Sequence, residues 1–194
     1  PEMTGIEAAW SGDSGEYKLY NNYAREIMGD DIGAIFKLGN LEPGAEVVVK
    51  VGISYVSMEN ARRNLDAEVG MRDFDSVHTE AQAKWNEALG RIRVEGGTED
   101  DRTIFYTALY HSLLHPNIVS DVNGEYPAME SGATGVAVGY DRYTVFSLWD
   151  TYRNVHQLLT LVYPEVQTDM IRSMVAMSQE WGWLPRWELY GRET

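Results

Sequence analysis

The chain has 194 residues, 44% of them hydrophobic, which is enough to bury a core of ordinary size. Its 30 acidic against 16 basic side chains give a net charge of −14, which argues against a nucleic-acid backbone as partner. With no cysteine there is no disulfide framework or thiolate metal centre, and no apolar run approaches the roughly 18 residues that a membrane helix needs.

The chain opens at Pro1 with no targeting segment and stops inside a Trp-rich run, residues 181–194, where a domain end is usually polar and frayed. It is therefore expected to be an internal piece of a longer protein. The first elements in chain order are short and β-rich. Tyr17-Lys-Leu-Tyr and Gly33-Ala-Ile-Phe-Lys-Leu, bounded by Gly, Asn and Asp, predict strands. Leu41-Glu-Pro-Gly predicts a turn leading into residues 46–56, a β-branched run long enough for a well-paired strand. Strands with no helix between them predict an antiparallel sheet or sandwich. Without a first strand of its own, the segment 1–57 reads as the C-terminal part of a sandwich.

At Ser57 the periodicity changes. Ser57 predicts an N-cap for a helix beginning at Met58. A second helix is predicted from about residue 76 to 89, because Ala81, Trp85 and Leu89 lie four apart on one face. Arg91-Ile-Arg-Val-Glu reads as a short strand ended by Gly96-Gly97, so residues 58–96 form a helical linker. Thr98-Glu-Asp-Asp then predicts a capped helix whose acidic first turn suits the positive end of the helix dipole. Residues 117–140, with Gly at 124, 132, 135 and 139, predict loop. Two further helices are predicted over about 148–161 and 166–180. Residues 97–194 thus read as the start of an all-α toroid or bundle.

Six Trp and twelve Tyr offer flat rings with a polar handle, which suit the apolar faces of sugars and also serve to fill a core. In Phe146-Ser-Leu-Trp-Asp-Thr-Tyr-Arg, Trp149 offers a face to a sugar, while Asp150 either accepts bonds from two hydroxyls or caps the helix. Arg153, three residues on, is placed to hold Asp150 ionised. Trp187-Glu-Leu-Tyr-Gly-Arg-Glu adds Glu188 and Glu193. Two carboxyls near a sugar ring are what glycoside hydrolysis requires; the alternative is pairing with Arg186 and Arg192 in surface salt bridges of little worth. His78, His111, His115 and His156 are too scattered for a metal-ligand set and read as satisfied core or interface histidines.

Four blocks together resemble glycoside hydrolase family 92: Lys84-Trp-Asn-Glu-Ala-Leu-Gly-Arg-Ile, Thr103-Ile-Phe-Tyr-Thr-Ala-Leu-Tyr-His-Ser-Leu-Leu, Tyr143-Thr-Val-Phe-Ser-Leu-Trp-Asp-Thr-Tyr-Arg and Leu184-Pro-Arg-Trp-Glu-Leu. They occur in the family's order, and the similarity is strongest from about Trp85 to Thr194. The resemblance implies an exo-acting, inverting α-mannosidase that depends on Ca2+, its ligands lying outside this chain. It implies a mixed β and α fragment of two domains, the end of an antiparallel β-sandwich followed by the first helices of an (α/α)6 barrel. It also implies that Asp150 contacts mannose, with Trp149 and the Trp187 to Glu193 segment nearby. With Arg153 these make Trp149, Asp150, Arg153, Trp187, Glu188 and Glu193 the candidate substrate-binding residues, of which Glu188 and Glu193 are expected to shape or support the pocket.

The family's acid and base lie in a T-E-G-N-A-W-type and a G-N-x-D-type stretch, neither of which occurs in this sequence. No catalytic residue is therefore assigned; both are expected beyond Thr194, and the chain alone is expected to be inactive. Expected partners are a mannose-containing glycan and the remainder of the enzyme or a second chain, in an extracellular or periplasmic setting. Two other functions stay open on the sequence: another (α/α)6 hydrolase or phosphorylase, and a non-catalytic carbohydrate-binding subunit.

Overall fold

A computed structural model describes residues 6–11, 18–21, 32–36 and 38–194. The chain divides into two compact units, Pro1–Val49 and Lys50–Thr194.

In the first unit, β1 (Ile6–Ser11), β2 (Lys18–Asn21) and β3 (Ile32–Phe36) form an antiparallel sheet in the order β2-β1-β3. Two of these strands fall where β-rich runs predict them. The central one, β1, is a correction, since the sequence pattern gave this half no first strand. A bulge between Ile6 and Ala8 interrupts its register with β3.

The strand predicted over residues 46–56 does not form. The run joins no ladder among the described residues, and Val49, Val51 and Ile53 stay exposed. β-Propensity measures fit to a pleated, half-buried surface, and without a paired neighbour it does not make a strand. From Lys50 onward, side-chain bonds anchor the run. Lys50 Nζ donates to the carbonyls of Gly70 and Arg72 at 2.8 and 2.7 Å, and Asn64 Nδ2 donates to the Ile53 carbonyl at 2.8 Å. At Gly52 the backbone approaches α1 so closely that an added Cβ would lie 2.2 Å from the Ala61 carbonyl oxygen.

Helix α1 (Met58–Glu68) is capped by Ser57, whose side chain accepts from the Asn60 N–H at 3.1 Å. Helix α2 (Phe74–Leu89) starts two residues earlier than the apolar spacing predicts, because Asp73 caps it. No strand forms at residues 91–95. Helix α3 (Glu99–Ser112) begins with a reciprocal capping box between Thr98 and Asp101.

The predicted loop 117–140 contains β4 (Asn117–Ile118), β5 (Glu125–Pro127) and β6 (Thr134–Val136). Such short strands offer too few positions for alternation to show. Next come β7 (Tyr143–Thr144) and β8 (Phe146–Ser147). The helix predicted over 148–161 is broken into α4 (Leu148–Thr151) and α5 (Val155–Val162). Thr151 Oγ1 bonds back to the Ser147 carbonyl and also to His156 Nε2, contacts that compete with a continuous helix. Helix α6 (Pro164–Trp181) carries Pro at its first position and ends on Gly182 in the left-handed region. Strands β9 (Trp187–Leu189) and β10 (Arg192–Glu193) complete a sheet in the order β10-β9-β8.

The core of the second unit lies where α3, α5 and α6 meet β7 and β8, around Leu109, Phe146, Leu159, Met170 and Met177. Gln167, Met170, Ser173 and Met177 form the buried stripe of α6 at spacings of three and four. Through this apolar region runs Arg142, 1% exposed. It donates to the Ser173 carbonyl and pairs with Glu180, both at 3.0 Å, and lies 4.3 Å from the Tyr126 ring centroid. Glu180 also accepts from Tyr126 Oη at 2.7 Å and from the Met129 N–H at 2.9 Å.

A buried charge that loses its partner costs about 3–5 kcal/mol. Arg142→Met should therefore lower the free energy of urea unfolding by about 3 kcal/mol, and a loss under about 1 kcal/mol would show that the pair is dispensable. Burial also pushes the Tyr143 phenol up to about 12, with Asp141, Asp169 and Glu165 adding to the shift. The folded state keeps this proton where the unfolded chain releases it near pH 10. Its contribution is complete below pH 10 and lost as pH rises through about 12. Absorbance titration should find a late-ionising phenol; complete ionisation by about pH 11 in folded protein would contradict this.

Candidate functional site

The segments carrying the predicted site residues are brought together by the β10-β9-β8 sheet. In its register Ser147 faces Trp187, while Phe146 and Glu193 both face Glu188. The Leu148 N–H donates to the Arg186 carbonyl at 3.0 Å, which ties the start of α4 to the residue before β9. Trp149 and Asp150 thus follow directly from a backbone joined to the Arg186-Trp187 segment.

Among the predicted residues, four present exposed side chains. Trp149 is 69% and Trp187 50% exposed, and Asp150 and Arg153 are exposed as well. Asp150 Oδ2 accepts from Ser147 Oγ at 2.6 Å, and Oδ1 makes no hydrogen bond among the described residues. Asp150 does not provide the helix cap: α4 starts from Ser147, and no side chain there bonds a backbone N–H. No ion pair joins Arg153 to Asp150 among the described residues; the Arg153 guanidinium lies 6.0 Å from the Tyr152 ring. The break after Thr151 removes the helical spacing on which the expected pairing depends.

Glu188 and Glu193 are placed differently. Glu188 is 0% exposed. Its Oε1 accepts from Thr144 Oγ1 at 2.8 Å and from the Gly191 N–H at 2.7 Å, and its Oε2 accepts from the Val145 N–H at 3.0 Å. A side chain with no surface has nothing to offer a ligand directly, so in this chain Glu188 is placed to support the surface, as expected of it, rather than to meet a ligand. Burial pushes its carboxyl above the ordinary carboxylate range, opposed by the donors from Gly191, Thr144 and Val145 and by the Arg142 charge. Glu193 accepts from the N–H groups of Arg186 and Trp187 and from Arg186 Nε at 3.2 Å. Of the pairings of Glu188 and Glu193 with Arg186 and Arg192 that the sequence left as an alternative, only Arg186–Glu193 forms among the described residues, and there the Glu193 side chain is 8% exposed.

Two residues beside Glu188 hold backbone conformations unusual for their type. Val145 has φ 64° and Tyr190 φ 49°, the left-handed region that a β-branched residue in particular avoids. Such a position costs on the order of 1–3 kcal/mol and persists only where its surroundings hold it. Here the Val145 N–H is held by Glu188, and the Tyr190 N–H by Thr144 Oγ1 at 2.8 Å. Tyr190 also stacks on Tyr55 with ring centroids 4.4 Å apart. Sequence reasoning missed Thr144, Val145 and Gly191 as parts of this arrangement. Gly191 carried a usable signal: its φ of 84° and the 2.9 Å that would separate a Cβ from the Pro127 carbonyl oxygen both demand glycine. Val145 carried none.

Of the four histidines, His156 alone is part-buried with both ring nitrogens partnered, by Thr151 at 2.9 Å and Gln167 at 3.1 Å. His78, His111 and His115 are exposed in this chain. An apolar cleft of about 420 Å³ lies elsewhere, between α2, α5 and α6, and is lined by Trp85, Tyr143, Tyr163 and Met170. Its polar groups serve the fold: Tyr163 Oη donates to the Ala88 carbonyl at 2.9 Å, and Arg91 pairs with Glu165. The exposed Trp and Asp side chains lie outside its lining.

The pattern of the glycosyl hydrolase family 92 catalytic domain matches residues 60–194. A family GH92 α-mannosidase from Bacteroides thetaiotaomicron, also solved in complex with mannoimidazole, is 37% identical, with a TM-score of 0.68 over 72% of this chain and 19% of its own. A family GH92 inverting mannosidase from Bacteroides thetaiotaomicron VPI-5482 is 27% identical, with a TM-score of 0.75 over 94% of this chain and 24% of its own. An uncharacterized secreted glycosidase of Arthroderma benhamiae is 30% identical over 146 residues, 67% of this chain and 18% of the relative. The chain thus spans about a fifth of the length of these relatives. With a match covering well over half of its residues, the chain belongs to glycosyl hydrolase family 92.

Proposed function

We propose that this chain is the sugar-recognition portion of an α-mannosidase that removes non-reducing terminal α-linked mannose from glycans with inversion. The observation that carries the reading is the exposed Trp149-Asp150 pair beside Trp187, with Asp150 already oriented by Ser147 and one oxygen open to a ligand. A ring face and a carboxylate acceptor are the two groups that a pyranose needs, one for its C–H face and one for neighbouring hydroxyls. Arg153, exposed three residues further on, is read as a further contact to the sugar. Glu188 and Glu193 support this surface from within.

Inversion requires an acid and a base roughly 6.5–9.5 Å apart with room for a water. We assign neither role within this chain and place both in the remainder of the enzyme. In our reading the fold ends a β-sandwich and begins an (α/α)6 barrel, and the setting is extracellular or periplasmic. No helix among the described residues is long and apolar enough to cross a membrane. Calcium prefers several oxygen ligands. Among the described residues no three His, Asp or Glu side chains converge to hold a metal ion, so these residues do not fit calcium and no step is drawn through it.

Family membership removes the reading as a hydrolase or phosphorylase of another family. A non-catalytic binding subunit remains as an outcome of the test. In the full-length polypeptide, Asp150→Asn should lower kcat/KM for an aryl α-mannoside about 10- to 100-fold, since a hydrogen bond to a charged group contributes about 1.5–3 kcal/mol. The melting temperature should stay within about 1 °C, because the side chain is exposed and caps no helix. Unchanged turnover, or a loss of stability that parallels the loss of activity, would make Asp150 structural. Mannoside binding without turnover in the unsubstituted polypeptide would favour the binding subunit.

A further inference from the structure

We infer that Glu188 is a positioning residue for the sugar-facing surface: its buried carboxylate holds Val145 in the left-handed region and so fixes the direction in which β8 delivers Ser147, Trp149 and Asp150. The inference rests on the reading of Trp149 and Asp150 as sugar contacts.

The connection is short and covalent. Glu188 Oε2 accepts from the Val145 N–H at 3.0 Å, and one residue later β8 begins. Ser147, the last residue of β8, both starts α4 and orients the Asp150 carboxylate at 2.6 Å. On the opposite side, Glu188 Oε1 holds the Gly191 N–H and Thr144 Oγ1, and Thr144 in turn holds the Tyr190 N–H. One carboxylate therefore ties the strand that carries Trp187 to the turn that leads into Trp149. A valine at φ 64° left without its hydrogen bond relaxes toward the β region, which rotates the chain that follows. All three donors require a carboxylate. Glutamine preserves the shape and the Oε1 acceptor, but sets an NH2 group against the Val145 N–H.

The test uses the full-length polypeptide and an aryl α-mannoside at a temperature where every variant is folded by circular dichroism. Glu188→Gln should lower kcat/KM about tenfold or more. Adding Val145→Gly should recover a large part of that loss, because glycine occupies the left-handed region without a clamp. Because every variant is compared where it is folded, the recovery reports the path of the chain at Val145 and not overall stability. Wild-type kcat/KM in Glu188→Gln, or no recovery in the double variant, would overturn the inference. If Glu188→Gln does not fold, Thr144→Val tests the same clamp. It should lower kcat/KM several-fold, and an unchanged value would overturn the inference equally. Failure of the underlying reading is distinguishable: then Asp150→Asn itself leaves mannoside turnover unchanged.

Discussion

A carboxylate removed from water costs several kcal/mol unless its lone pairs are filled, and Glu188 meets that constraint with three donors, from the end of β7, from the residue before β8 and from the turn between β9 and β10. Two of these donors are backbone N–H groups, one on a residue in the left-handed region and the other on a glycine there. The local chain path is therefore shaped around the carboxylate. The meeting of β8 and β9, the start of α4 and the outward presentation of Trp149 and Trp187 all depend on it.

The same region separates frame from face. Arg142, Thr144, Phe146 and Glu188 are buried, whereas Trp149, Asp150, Arg153 and Trp187 are exposed. Alternation along β8 and β9 produces this division: Phe146 and Glu188 face each other across the ladder, and Ser147 and Trp187 form the next pair. The Arg142–Glu180–Tyr126 cluster and the bond from the Tyr143 N–H to Ser173 anchor β7, the strand just before β8, to α6. A binding surface set on such a base loses little conformational freedom when it engages a ligand.

The sequence made local features legible and non-local ones obscure. The caps at Ser57 and Thr98 were readable because a cap is satisfied within three residues of itself. Residues 46–56 misled because propensity cannot report whether a neighbouring strand is present. The break after Thr151 depends on His156 and on the Ser147 carbonyl, a tertiary choice that apolar spacing does not encode. In the candidate site, the Trp and Asp on the surface were found because their chemistry is visible as residue type. Glu188 was placed with them because two carboxyls near a sugar ring are what glycoside hydrolysis requires. The alternation Trp187-Glu-Leu held a hint that Glu188 points inward, but its donors come from Val145 and Gly191, whose part is played by the backbone.

The most direct test of this account is amide hydrogen exchange at Val145 and Gly191. If the Glu188 carboxylate holds both N–H groups in a buried sheet, they should exchange only through opening of the whole second unit, with protection close to that of Leu159 and Met170 in the core. Exchange as fast as that of exposed turn amides such as Ser131, in otherwise folded protein, would show that no such clamp exists.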